Sequence, residues 1–544
     1  MEEIYLIKKW MKIIIIFILF LNISLFSINI IEGVSIAFSD GTILYVGGSG
    51  PGNYSTIQSA INNSSDGDII FIYNGIYYEH ILINKKISLI GENNYSTIID
   101  GGQNQSSPVV HVVTSPFHIC NLTIRNANAS SGKEGIEIGY YNMDYTISNS
   151  TIIHCKIFNT FDGISFWNSS NILISNCSIF NNTNGVMMVK SKYDRIEHCV
   201  LSNRQTGISL NVGSHRNTVI NCVISGNATT GLLGEGIETY DDNNIISHCS
   251  ITNEGDGVAI YANNTRIDNS SLSNNMGRGI CIGEGNYNTI ENCNVNHNGY
   301  SDILSSYGIE VFRGSNNFFT RCEISDNVRG GVLLLWTSEQ NAIIKSTIKH
   351  NGYTGGLEGV RCESANNIYM NNFIDNYIQA YDLFSNSKWD DGHLGNYWSD
   401  YKGHDWNGDE IGEKPYVLFN NSRDHFPLLC PYNPDGPSVL LERPAHNKGD
   451  FLYLRNLRFL RSQTTVLVGN INVKTRVANY DNPDRITKVE FYVDGVLRHV
   501  DIVPPYIWCW RLSSPLNHMH TLSVIAYDRK GRAGQDSCQV YKLM

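Results

Sequence analysis

From about residue 120 to residue 380 the chain repeats one short motif, an apolar residue, a polar one and a second apolar one, set between Asn, Ser and Gly. Gly135-Ile136-Glu137-Ile138, Gly163-Ile164-Ser165-Phe166 and Gly207-Ile208-Ser209-Leu210 are three copies. Strict alternation over so few residues predicts short, half-buried strands rather than helix. Two columns set the period. Cys155, Cys177, Cys199, Cys222, Cys249, Cys293 and Cys322 each stand two residues before a branched apolar residue, with intervals of 22, 22, 23 and 27 between the first five. Ser270, Ser346 and Asn372 are read as filling the same slot in other copies, and Cys120 as starting the series. The second column is Gly135, Gly163, Gly185, Gly207, Gly236, Gly257, Gly279, Gly308, Gly331 and Gly359, with Ala380 read as its last member.

A 22-residue period of short strands is the signature of a solenoid, in which each unit buries its apolar face only against its neighbours. The spacing predicts an all-β fold, a right-handed parallel β-helix of about eleven coils and roughly 50 Å. Glycine is expected at a corner that needs positive φ. A slot that accepts Cys, Ser or Asn is a stacking position, so the ladder cysteines are expected to be reduced and internal rather than bridged. From each glycine to the next ladder slot the distance is nearly constant. From slot to glycine it lengthens in four coils, at 125–134, 225–235, 296–307 and 349–358. All four insertions leave one corner, as a shared binding edge would.

Before the repeat, Lys8, Lys9 and Lys12 precede an apolar run from Ile13 to about Ile31, followed by Ser35-Ile36-Ala37. Residues 1–37 therefore read as a signal peptide, or as an uncleaved N-terminal anchor, and place the remainder in a secreted or cell-surface location. The net charge of -11, with no basic stripe, argues against a nucleic-acid surface.

The repeats, over about residues 43–430, resemble those of the NosD-like and CASH (carbohydrate-binding and sugar-hydrolase) families. The opening motif Tyr54-Ser55-Thr56-Ile57-Gln58-Ser59-Ala60-Ile61, with Asp66-Gly67-Asp68 and Asn74-Gly75-Ile76-Tyr77, is similar to that of exported relatives. There it forms an N-terminal cap, which would put a short helix over 57–62. The closing motif Gly395-Asn396-Tyr397-Trp398-Ser399-Asp400-Tyr401 resembles the terminal segment of NosD-like proteins. Residues 38–430 are thus expected to form the capped β-helix. Residues 433–544 resemble an immunoglobulin-like β-sandwich, with Asn433-Pro434-Asp435-Gly436-Pro437 as a linker. Cys509 and Cys538 lie in that module, and their pairing stays open.

The resemblance implies three kinds of chemistry. The first is polysaccharide lyase, hydrolase or uronate epimerase activity. The outward position of the Gly-Ile-x-Ile strand carries Glu137, Glu238, Glu310 and Arg361. Glu238 and Glu310 are three coils apart, about 14 Å, too far for a glycosidase pair. Asp241 and Asp242 form an acidic pair without the Gly-His-Gly, Asp-Pro-His or Arg-x-Pro-x-x-Arg motifs of known β-helix enzymes. No catalytic constellation emerges. The second is copper handling. His154, His198 and His248 recur on alternate coils about 9.6 Å apart, too far to share an ion, which makes copper a poor expectation. The third is glycan binding without catalysis, and it is the leading expectation: an exported protein holding polysaccharide or envelope polymer through Tyr300, Tyr307 and Tyr353 on the inserted loops, with Glu238, Asp241, Asp242 and Glu310 nearby. Asp405, Asn407 and Asp409, with Glu413, alternate like a calcium loop, although Glu410 stands where such loops carry Gly.

Overall fold

The structure, a computed structural model, describes residues 41–543 apart from 104–106, 141–143, 227–233, 301–305, 354–355, 419–420, 446–450, 463, 481–485 and 512–517. The expected N-terminal export segment lies outside the described residues. From Ile43 the chain winds through three parallel sheets. The first runs from Ile43–Val46 to Asn367–Tyr369, the second from Ile81–Ile83 to Ile378–Asp382, and the third from Gly75–Tyr77 to Tyr397–Trp398. Among the described residues they hold 14, 13 and 14 strands. The expected eleven coils are therefore corrected to about fourteen turns, a rod of roughly 60 Å. The missing turns precede the cysteine column. Strands such as Ile69–Ile72, Ser88–Gly91 and Thr97–Asp100 carry neither marker residue, yet they pair in the same parallel register.

Both columns are real, but each had members assigned by residue type that the register moves. Ile153 pairs with Cys120, which places Leu122 beside Cys155 and Cys120 two residues outside the slot. Asn371, not Asn372, continues the ladder: the Cys322 N–H donates to Ser346 Oγ, that of Ser346 to Asn371 Oδ1, and that of Asn371 to Asn396 Oδ1. At the last coil Gln379, not Ala380, lies beside Gly359. All thirteen cysteines are free, and the ladder thiols belong to the apolar core.

The glycine column has a different cause from the one expected. None of its ten glycines has positive φ. A Cβ on Gly185 would lie 2.3 Å from the carbonyl oxygen of Gly207 and 2.6 Å from Asn203 Nδ2, so what is required there is close approach between coils. Positive φ falls instead on the residue before each ladder slot, such as His154, Asn176, His198 and Asn221, at 52–54°. Asn tolerates that region because its short amide bonds locally. The three histidines of this column point outward into solvent at these turns.

Inside the corner between the third and second sheets runs a buried asparagine ladder, Asn275, Asn298, Asn327, Asn351 and Asn376. Each Nδ2 donates to the Oδ1 of the next, except that Asn376 donates to Gln379 Oε1. A closed polar file of this kind satisfies its own donors and fixes register between coils. Helix Ile57–Asn63 closes the N-terminal end, burying Ile57, Ala60 and Ile61, while the Glu79 carboxylate accepts the N–H groups of Ile57 and Gln58 at 2.8 and 2.9 Å. This is the cap that the opening motif implied. At the far end Trp398 stacks between Phe373 and Tyr416, and its Nε1 donates to buried Asp424. Beyond residue 437 a three-stranded and a seven-stranded sheet share one core around Val473, Phe491 and Val524. There Cys509 is exposed and Cys538 buried, and both are free thiols.

Candidate functional site on the second sheet

In the strands of the second sheet two inward residues, such as Ile136 and Ile138 or Ile164 and Phe166, turn into the core and leave the residue between them on the outer face. Register runs this outer column through His111, Glu137, Ser165, Met187, Ser209, Glu238, Ala259, Cys281, Glu310, Leu333 and Arg361. The residue just before each column glycine borders the same face. Glu134, Asp162, Glu235, Asp256, Arg278, Tyr307 and Glu358 occupy that position. The four insertions do leave one corner, between strands of the third sheet and strands of the second. Parts of three of them lie outside the described residues.

Two carboxyl pairs result, about 19 Å apart along the rod. At one end burial raises the Glu134 and Glu137 pKa values, and Glu137 adds to the effect at Glu134. Burial pushes Asp162 up to about 6. His111 Nε2 sits 3.7 Å from Glu137, and burial lowers the imidazole's pKa. At the other end burial, then the charges of Glu238 and Asp256, push Glu235 up to about 7. A carboxyl held near neutrality beside a second one is the arrangement that separates acid and base roles.

Beside this second pair, Tyr240 and Tyr261 stack on adjacent coils with ring centroids 4.9 Å apart and planes 10° apart. Each is 40% exposed. The Tyr240 hydroxyl donates to Glu238 Oε2 at 3.1 Å. Further along, the Arg278 guanidinium binds Asp256 at 2.9 Å and Glu310 at 2.6 Å. Burial works against its charge, but Asp256 and Glu310 outweigh that and keep it protonated. Arg361 pairs with Glu363 at 2.8 Å and Glu358 at 3.5 Å.

The structure separates the residues singled out from the sequence. Tyr307 is 3% exposed, and its hydroxyl donates to Glu358 Oε2, so it does not offer a ring to solvent. Tyr300 and Tyr353 are exposed, and the Tyr353 hydroxyl donates to the Asp375 carbonyl. Glu238 is on the face described above. Glu310 lies on it as well, but its Oε2 is held by Arg278 and its Oε1 by the Tyr307 N–H. Asp241 accepts the N–H groups of Gly213 and Asp242, and Asp242 accepts that of Asn263. Those two carboxylates hold turns together. In the acidic loop, Asp405 accepts the N–H groups of Gly408 and Glu410, Asn407 Oδ1 that of Asp409, and Glu413 that of Trp406. Glu410 takes φ +63°, the conformation glycine usually supplies, and is tied to Arg476 at 2.7 Å. Among the described residues, no group of three or more His, Cys, Asp or Glu is gathered as a metal site. Sequence reasoning missed Glu134, Asp162, Glu235 and Asp256. The signal was present in the polar residue before each column glycine.

The profile of the right handed beta helix region matches residues 117–244 and 235–390, together half of the chain. The chain belongs to this family. No curated protein sequence matches it. Solved structures similar to this β-helix protein include the A-module of a mannuronan C-5 epimerase from Azotobacter vinelandii, at 16% identity and a TM-score of 0.46, covering 61% of this chain and 92% of that one. DFA-IIIase from Arthrobacter chlorophenolicus A6 is similar at 11% identity and a TM-score of 0.43, covering 61% and 94%. The N-terminal fragment of bacteriophage Phi29 gene product 12 is similar at 13% identity and a TM-score of 0.45, covering 60% and 67%. No activity is carried over from these proteins to this one.

Proposed function

We propose that this is an exported β-helix protein that binds polysaccharide along its second sheet, at a site centred on Tyr240 and Tyr261. The stacked, half-exposed pair beside Glu235 and Glu238 carries the reading. Tyrosine offers a sugar an apolar ring with a polar rim, and neighbouring carboxyls accept from its hydroxyls. The site thus moves from the inserted loops to the sheet they border. The C-terminal sandwich, immunoglobulin-like by its sequence, and the NosD-like opening and closing motifs agree with an extracytoplasmic location.

Affinity electrophoresis through gels containing single polysaccharides tests the proposal. The parent should be retarded by at least one of them, and the Tyr240→Ala/Tyr261→Ala double variant should migrate freely. Equal retardation of both would move the site elsewhere. A second reading, acid–base glycan cleavage, is favoured by one observation, the raised Glu235 carboxyl standing close to a second carboxyl, Glu238. It requires new reducing ends or unsaturated products from a bound glycan, and their loss in Glu238→Gln. Binding with no product would leave the first reading alone.

A further inference from the structure

We propose, building on that binding reading, that the ligand is an amino-sugar polymer, a glycan whose free amines carry positive charge. Carboxyl groups outnumber cationic side chains on this face. Glu235, Glu238 and Asp256 stand at one end, and Glu134, Glu137 and Asp162 at the other; burial favours the neutral form of Glu235, Glu134, Glu137 and Asp162, and an approaching ammonium group would favour their ionised form. Against them stand Lys133 and His111, and burial disfavours the charged form of that histidine. Arg278, bordering the same face, is already shared between Asp256 and Glu310. Arg361, in the outer column, is engaged by Glu363 and Glu358. An acidic polymer would bring carboxylates to a face whose own guanidinium groups, Arg278 and Arg361, are already held by carboxylates, and like charges brought together cost affinity.

A second observation, independent of charge, points to a ligand at the same place. Ser209 is 0% exposed, and its hydroxyl has no hydrogen-bond partner. Its strand neighbours Ile208 and Leu210 belong to the core, so Ser209 faces outward beside its register partner Glu238. Ser165 repeats the arrangement beside Glu137, again buried and without a partner. Buried hydroxyls are almost always paired, and two unpaired ones flanking Met187 between the carboxyl pairs suit a ligand that brings its own polar groups. The stacked tyrosines complete the set, because an ammonium group is drawn to aromatic rings as well as to carboxylates. Glu238 and the tyrosine pair would then meet the amine.

Titration calorimetry of the full chain with short oligosaccharides tests this. A glucosamine hexamer should bind at least tenfold more tightly than the N-acetylglucosamine hexamer, and added salt should weaken it. A galacturonate hexamer should not bind. Glu238→Gln should raise the Kd for the glucosamine hexamer about tenfold. Glu323→Gln, an exposed acid of the third sheet paired with Lys349, should leave it unchanged and so control for general attraction to an acidic protein. Equal binding of the amine and its N-acetyl form would overturn the amine while leaving the glycan site standing. Tighter binding of galacturonate would overturn the charge argument. No binding to any glycan, in the gels or here, would remove both readings.

Discussion

Replacing Asn298 by alanine should open the rod locally while leaving distant coils intact. Asn298 is fully buried in the asparagine ladder. Its Oδ1 accepts the Asn275 N–H at 3.1 Å and Asn275 Nδ2 at 2.9 Å, and its Nδ2 donates to Leu272 O and Asn327 Oδ1 at 3.0 Å each. Alanine removes the acceptor from two buried donors on Asn275, and each orphaned donor costs about 1–3 kcal/mol, giving about 2–6 kcal/mol in total. Asn298→Asp should cost more, since it sets an oxygen against two acceptors and buries a charge. His297→Ala, the exposed neighbour at φ 53°, should cost only about 1 kcal/mol. Because a solenoid opens piecewise, hydrogen exchange is the suitable assay. Amides of Ser271–Ser273 and Asn294–Asn296 should exchange at least about thirtyfold faster in Asn298→Ala, at 1.4 kcal/mol per tenfold. Protection equal to that of His297→Ala would refute the view that the ladder holds the coils together.

Buried carboxyls give stability a definite pH slope. Burial, the largest cause in each, raises Glu254 to about 8 and Asp194 and Asp424 to about 7. A folded pKa above the unfolded one means that the folded state holds the extra proton. That stabilisation is complete below about pH 4 and is lost as pH rises through 7 and 8. The melting temperature should therefore fall from pH 5 to pH 8, and Glu254→Gln should flatten the fall; a rise would contradict the assignment. The cysteines make a separate prediction. Under native conditions a thiol reagent should titrate Cys509 rapidly and partly exposed Cys120 slowly, and all thirteen thiols should react in denaturant without reductant. Fewer than thirteen would reveal a disulfide.

The coil geometry was legible because its requirements recur. An apolar residue on each side of an outward one, a small residue in the ladder and a glycine at the close approach return in most turns from Cys155 onward, so spacing alone separates strands from corners there. The turns before Cys120 were missed because Ile69–Ile72 and Thr97–Asp100 meet the same packing needs without either marker residue. Slips at Cys120, Asn372 and Ala380 share another cause: a residue of the right type stood one or two places from the position that backbone pairing selects. The site was less legible. Glu235 and Asp162 acquire their character from burial and from partners on other coils, none of which a single strand displays. Tyr307 looked like a loop aromatic and is instead tied to Glu358, 51 residues away.

Hydrogen exchange with and without saturating glycan maps where the ligand sits on the rod. New protection is expected in Ile237–Thr239 and Val258–Ile260 of the second sheet, extending toward Ile208–Leu210, and none in the C-terminal sheets. Protection confined to the first sheet or to residues beyond 437, or none at ligand concentrations that saturate the protein, would contradict a glycan site on the second sheet.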